Sequence, residues 1–173
     1  MAELRAIGFW RSGNRGDEQL PYPWELVRRK WISADKKALL LTYLKAGATC
    51  ETYRGMSYCR FRCGIDDRKM GHRDFTDGVW LWPEGLYHYV EQHDLMLPND
   101  FVVHCEAGNW IVPAEAAHDI RVPDVWDYSY WIAWAQNEIQ NAEVSRSIGG
   151  QTRGLIGDLS HASAAPAAIR RKL

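Results

Sequence analysis

The apolar positions of this chain fall into short blocks separated by turn residues, and most blocks are too short for anything but small elements. Residues 1–24 read as an irregular lead-in, punctuated by Ser-Gly-Asn-Arg-Gly at 12–16 and Pro-Tyr-Pro at 21–23. Ser33 then offers an N-cap, Asp35 suits a first turn, and Gly47 supplies a stop. The run Ala38 to Leu44 between them is apolar nearly all round, so the pattern predicts a helix over about 34–46, buried on more than one side.

From Tyr53 to Trp82 the pattern predicts a small antiparallel sheet. Ser57 to Phe61 reads as one strand. Asp77-Gly78, between Phe75-Thr76 and Val79 to Trp82, reads as a two-residue type I′ hairpin. Pro83 and Glu84 then read as the first turn of a helix over about 83–93. A second short helix is expected at about 98–107, ended by Gly108, followed by a strand at Asn109–Val112. A last helix is expected over about 124–144, with Trp126, Tyr130 and Trp134 recurring at i, i+4 and i+8. The fold class expected is α+β, one domain over 1–144 with flanking helices packed on a sheet–helix centre at about 53–97. Beyond Ser145 the composition shifts to Gly, Ser, Ala and Arg, which reads as a flexible tail over 145–173 ending in Arg170-Arg171-Lys172.

Composition alters this picture in one respect. Nine tryptophans among 173 residues are spread along the chain, and each carries a large apolar surface with one N–H that needs an acceptor. They point to an aromatic core rather than to a set of surface anchors. No secretory h-region and no transmembrane-length apolar run stands in the sequence, so a cytoplasmic protein with no membrane partner is expected. In that setting Cys50, Cys59, Cys63 and Cys105 read as thiols or metal ligands rather than disulfides.

The cysteines carry the candidate chemistry. Cys59 and Cys63 lie at a turn with Gly64 after them, and His88 and His93 lie on the helix expected to follow the hairpin. The order C-x3-C…H-x4-H, thiolates on a sheet and imidazoles on the next helix, resembles an enlarged Cys2His2 finger, so a structural zinc ion is expected on these four side chains. Residues five apart on an ideal helix point about 140° apart. His88 and His93 can therefore share an ion only if the helix loosens near its end. Other ligands considered are His72, Cys50, His104 and Cys105, none of which the pattern brings to the same turn.

Two further readings remain. Glu84 and His88 stand four apart, and with an open three-ligand zinc they would outline a hydrolytic site. Arg54, Arg60, Arg62 and Arg73 belong to a basic cluster over 54–74, interleaved with Tyr53, Tyr58 and Phe61, that could grip a nucleic acid. Residues 91–127 carry eight Asp/Glu against Arg121 alone, which suits a basic partner. No phosphate-cradling Gly loop, nucleophile elbow or HExxH motif is present. The function expected is a non-enzymatic, zinc-stabilised protein-binding module, such as an immunity- or antitoxin-type accessory protein.

The run Tyr53-Arg54-Gly55, Ser57 to Arg60, Cys63-Gly64, Thr76 to Leu86, His88 to Val90, His93 and Leu97-Pro98 resembles an uncharacterised family of bacterial proteins with the pattern CRxCG…TDGxWxWPEGLxHYV…H…LP. The resemblance covers about 53–101, with a weaker echo at 20–47, and implies no activity. This chain departs from the pattern in having three residues, not two, between its cysteines.

Overall fold

The structure is a computed structural model that describes residues 4–116 and 126–157, with side chains described as far as 148. Among the described residues it is α+β: a four-stranded open sheet, five α-helices and one short 3-10 turn at Pro23–Leu26. The strands are β1 (Arg5–Ala6), β2 (Ala48–Thr52), β3 (Arg73–Thr76) and β4 (Trp80–Pro83), and the helices α1 (Ala34–Lys45), α2 (Asp67–Met70), α3 (Leu86–His93), α4 (Asn99–Ala107) and α5 (Ser129–Gly157). The sheet order is β1-β4-β3-β2, with β1 parallel to β4 and the other neighbours antiparallel.

The chain divides into two compact units, Met1–Glu138 and Ile139–Leu173. The first holds the sheet, α1 to α4 and the start of α5. In the second, 139–157 continue as helix, so the last helix begins at Ser129 and ends at Gly157 rather than running from 124 to 144. The basic terminus Arg170-Arg171-Lys172 lies outside the described residues.

Helix α1 forms where its caps predict, with the Ser33 hydroxyl accepting from the Lys36 N–H. It is buried on one side only, through Leu40, Tyr43 and Leu44, while Leu39 stays 45% exposed. The lead-in is not wholly irregular. Its Arg5 and Ile7 N–H groups donate to the Val79 and Leu81 carbonyls at 2.9 Å, making β1 the edge beside β4. No strand forms at 57–61; the antiparallel partner of β3 is β2 instead.

The hairpin between β3 and β4 turns one residue later than Asp77-Gly78. Only Gly78 has a positive φ, and Asp77 spends its carboxylate on the Val79 and Trp80 N–H groups at 2.9 and 2.7 Å. Capturing both amides holds Asp77 outside the turn centre, which becomes Gly78-Val79. Pro83 closes β4 rather than opening α3. The next amide, Glu84, donates toward β3 at the Arg73 carbonyl, so the Pro83 nitrogen faces the β1 side, where β1 has already ended. Segment 109–112 is not extended, because Asn109 and Trp110 both take positive φ.

The core is aromatic. Trp80, Trp82, Trp131, Tyr43 and Phe101 are its largest fully buried side chains. Phe101 of α4 lies 5.4 Å from Trp80 and 5.7 Å from Trp82, ring centre to ring centre. The Trp82 indole donates to the Leu44 carbonyl at 3.1 Å and the Trp131 indole to the Phe9 carbonyl at 2.7 Å, which removes the cost of burying those N–H groups. On α5 the buried residues are Trp131 and Ala135; Trp126, Tyr130 and Trp134 are half-buried.

Candidate metal centre

Cys59, Cys63, His88 and His93 bring four ligand atoms within 4.8 Å of one another. The Cys59 sulfur lies 3.4 Å from His93 Nε2, the Cys63 sulfur 3.3 Å from His88 Nε2, and the two Nε2 atoms 3.3 Å apart. For zinc bound at ~2.3 Å from sulfur and ~2.0 Å from nitrogen, a tetrahedron has N–N edges of about 3.3 Å and S–N edges of about 3.5 Å. The four side chains therefore fit the edges of a tetrahedral ion site, and could hold a metal ion.

The sulfur half is built by a loop with no regular secondary structure. The Arg62 N–H donates to the Cys59 carbonyl at 3.0 Å, and positive φ at Arg62 (52°) and Gly64 (85°) curls the chain round the sulfurs. Gly64 takes this conformation freely, whereas Arg62 does so at a cost. Burial pushes the Cys59 thiol above its ordinary pKa, while the Phe61 and Cys63 N–H groups aimed at its sulfur favour the thiolate. Tyr89 braces the loop from beneath, its hydroxyl accepting from the Arg60 N–H at 3.0 Å.

The nitrogen half comes from α3. Its last turn is widened: the Asp94 N–H reaches back five residues to the Tyr89 carbonyl, and the Leu95 N–H bonds the same oxygen at 3.2 Å. Asp94 itself is left-handed, at φ 50° and ψ 36°. That loosening lets residues five apart aim their rings at one point. Burial pushes both histidines below their usual pKa, reinforced at His88 by the neighbouring His93, so both rings favour the neutral form that ligates. Phe61 stacks on His93 at 4.1 Å and 13°, shielding one ring face.

Cys59 and His88 are buried, His93 is half-buried and Cys63 is exposed. The exposed sulfur and both histidines border an open cleft of about 860 Å3, whose rim carries Lys45, Lys69, Tyr87 and Glu91.

The other sequence candidates separate. Glu84 is not free beside His88. Its two oxygens take Arg73 at 2.6 and 3.1 Å, and Oε2 also accepts the His72 N–H at 3.1 Å. The guanidinium holds its carboxyl below the ordinary range. Arg60 and Arg62 both lie over the Tyr58 ring, at 4.1 and 4.0 Å, and Arg54 is exposed. Of the four arginines, one is bound in an ion pair and two share one ring. Cys50 and Cys105 lie outside the four-residue cluster; Cys105 is buried, and its neighbour His104 lies 3.1 Å from the Asp77 carboxylate. The acidic stretch is also less free than its residue count suggests. Lys36 pairs with Glu106, Lys37 with Asp94 and Lys45 with Glu91, at 2.8, 2.9 and 3.8 Å.

The sequence points to Asp94 and the Pro98 stop as the place where the helix can loosen, and Asp94 is left-handed there; sequence reasoning missed the left-handed backbone at Arg62 and the bracing by Phe61 and Tyr89. Among the described residues no helix is long and apolar enough to cross a membrane. Comparison of the chain with protein-family models, with curated proteins and with solved structures finds no match.

Proposed function

We propose that Cys59, Cys63, His88 and His93 hold a structural zinc ion, and that the domain is a non-enzymatic module for binding a protein partner. The observation that carries this reading is a set of two cysteines and two histidines whose ligand atoms lie at tetrahedral spacing. Thiolate and imidazole in equal number suit zinc better than the hard cations, which take oxygen. Bound zinc would act as a cross-link, tying an irregular loop to the end of α3.

A catalytic zinc keeps one position for water and needs a base beside it. Here the set has no spare position, and the nearest sequence candidate for the base, Glu84, is committed to Arg73. Binding in place of catalysis also accords with the large apolar side chains left at the surface near the sulfur loop: Trp24 is 50% exposed, Met56 50% and Tyr53 45%. Trp24 stacks on Tyr22 at 4.5 Å and meets the edge of Phe61 at 6.3 Å, so the metal loop and this aromatic surface are one continuous structure. Exposed aromatic side chains beside such a loop offer a surface on which a protein partner could dock.

Cobalt substitution tests the closed site. Cobalt(II) should bind at about one ion per chain and give the visible spectrum of a tetrahedral thiolate–imidazole complex. Azide should leave that spectrum unchanged, because no exchangeable position exists. A spectrum that shifts with azide would establish an open site and favour the hydrolytic reading.

A further inference from the structure

The chain has four cysteines, and they differ in how far solvent reaches them. Cys63 is exposed, Cys50 is half-buried, and Cys59 and Cys105 are buried. Cys63 also lines the open cleft of about 860 Å3 beside α3, so small dissolved oxidants can approach it from that side. Burial pushes the Cys50 thiol up to about 11 and raises the Cys105 thiol as well, which keeps both in the unreactive protonated form at neutral pH.

The exposed thiol has a partner at hand. The sulfurs of Cys59 and Cys63 lie within 4.8 Å of each other. The three residues between them belong to a turn, in which the Arg62 N–H donates to the Cys59 carbonyl at 3.0 Å. No helix or strand runs through this loop to resist drawing the sulfurs together to the ~2.0 Å of a bond. One accessible thiol and one sheltered thiol at close range form the arrangement of a redox-sensing cysteine with its resolving cysteine.

We infer that Cys63 is an oxidation site for peroxide, and that the product is a Cys59–Cys63 disulfide that expels the metal. The Cys63 thiolate attacks one peroxide oxygen, forming an S–O bond as the O–O bond breaks and hydroxide leaves. The Cys59 thiolate then attacks the Cys63 sulfur, forming the S–S bond as the S–O bond breaks and a second hydroxide leaves. Each sulfur gives up one electron, the peroxide takes both, and solvent protons convert the hydroxides to water. A disulfide has no thiolate left to ligate zinc, and two imidazoles are half of a structural site. The loss of metal rests on the proposed zinc reading, whereas the disulfide does not. Phe61 lies between the two cysteines, stacks on His93 at 4.1 Å and meets the edge of Trp24 at 6.3 Å. Oxidation would therefore rearrange the aromatic surface proposed for a partner, and so regulate it.

The test exposes the purified full-length, zinc-loaded chain to hydrogen peroxide in the absence of reductant. Released zinc is followed with a chromogenic chelator, and the cysteines by peptide mapping in a mass spectrometer. About one zinc should appear for each Cys59–Cys63 disulfide, with the loss of two hydrogen atoms from the chain, and dithiothreitol should restore zinc binding. The pair should react about tenfold or more faster than Cys50 or Cys105, and a Cys50→Ser/Cys105→Ser chain should behave as the parent does. Earlier oxidation of Cys50 or Cys105, a Cys63 sulfinic acid beside a Cys59 thiol, a disulfide joining two chains, or a Cys59–Cys63 disulfide with zinc still bound would each overturn the inference. A chain that binds no zinc would refute the metal reading alone. In that chain the mapped disulfide, or its absence, still decides whether Cys63 is the oxidation site.

Discussion

The aromatic core and the sulfur loop lie in the same domain but are held by different forces. In the core, Trp80, Trp82, Trp131 and Phe101 are fully buried, their backbones sit in β4, α5 and α4, and two of the indoles donate to backbone carbonyls. Around the sulfurs, residues 54–66 have no regular secondary structure, and Cys59 is the one buried side chain in that span. At ~25 cal/mol per Å2 the core can be stable through burial alone. The loop cannot, since it hides little apolar surface. Its order depends on Tyr89, on a few backbone hydrogen bonds and on the ligand cluster.

Breaking the ligand cluster should therefore have the largest effect, and a local one. Chelation, or Cys59→Ser, is expected to release the metal and to remove several kcal/mol of the ~10–16 kcal/mol that structural zinc supplies to small fingers. Amide exchange should accelerate over 54–66 and at the end of α3 far more than in β3 and β4. Uniform loss of protection through the core would instead mean that metal and core form a single cooperative unit.

Trp82→Ala attacks the other region. It empties a fully buried site and orphans the Leu44 carbonyl, so a loss of about 3–5 kcal/mol is expected in denaturant unfolding. Below its lowered melting temperature the variant should retain its metal. Metal lost in proportion to stability would erase the distinction.

A smaller effect should sharpen the account of the sheet. Asp74 of β3 is buried, and desolvation raises its pKa to about 6 although the Tyr53 hydroxyl donates to it at 2.6 Å. Between the unfolded value near 3.8 and the folded value near 6, the folded chain holds the extra proton. The contribution of this group is complete below the lower value and is lost as pH rises through the upper one, at most about 3 kcal/mol. Asp74→Asn keeps an acceptor for Tyr53, and should stabilise the chain at pH 7 by roughly 1–3 kcal/mol. It should also flatten the dependence of stability on pH between 4 and 6. A variant no more stable than the parent at pH 7 would contradict the desolvation argument.

The parts of the molecule legible in the sequence are those fixed by local chemistry. Ser33 caps α1 because a hydroxyl there meets an orphan amide, and Gly108 ends α4. The meeting of Cys59, Cys63, His88 and His93 was legible from residue type and order, since few other roles bring two cysteines and two histidines together at those spacings. The parts not legible depend on distant partners. Arg5–Ala6 is a strand only because β4 offers an edge, and two residues carry no periodicity. Cys50 sits at a bulge between Thr49 and Glu51, which breaks the alternation that would have marked β2. Asp77-Gly78 has the composition of a type I′ turn, but the Asp77 carboxylate has two amides to satisfy and shifts the turn. The acidic excess over 91–127 was legible as a number. Its pairing with Lys36, Lys37 and Lys45 of α1 required the packing of α1 on α3 and α4.

The claim that a closed four-ligand zinc ion ties the loop to α3 is tested most directly by X-ray absorption at the zinc edge of the purified chain. The account predicts about one zinc per chain, with two sulfur neighbours at ~2.3 Å, two nitrogen neighbours at ~2.0 Å and no exchangeable oxygen. A chain that purifies without zinc and takes up none, or a shell with a single sulfur and oxygen in place of nitrogen, would contradict it.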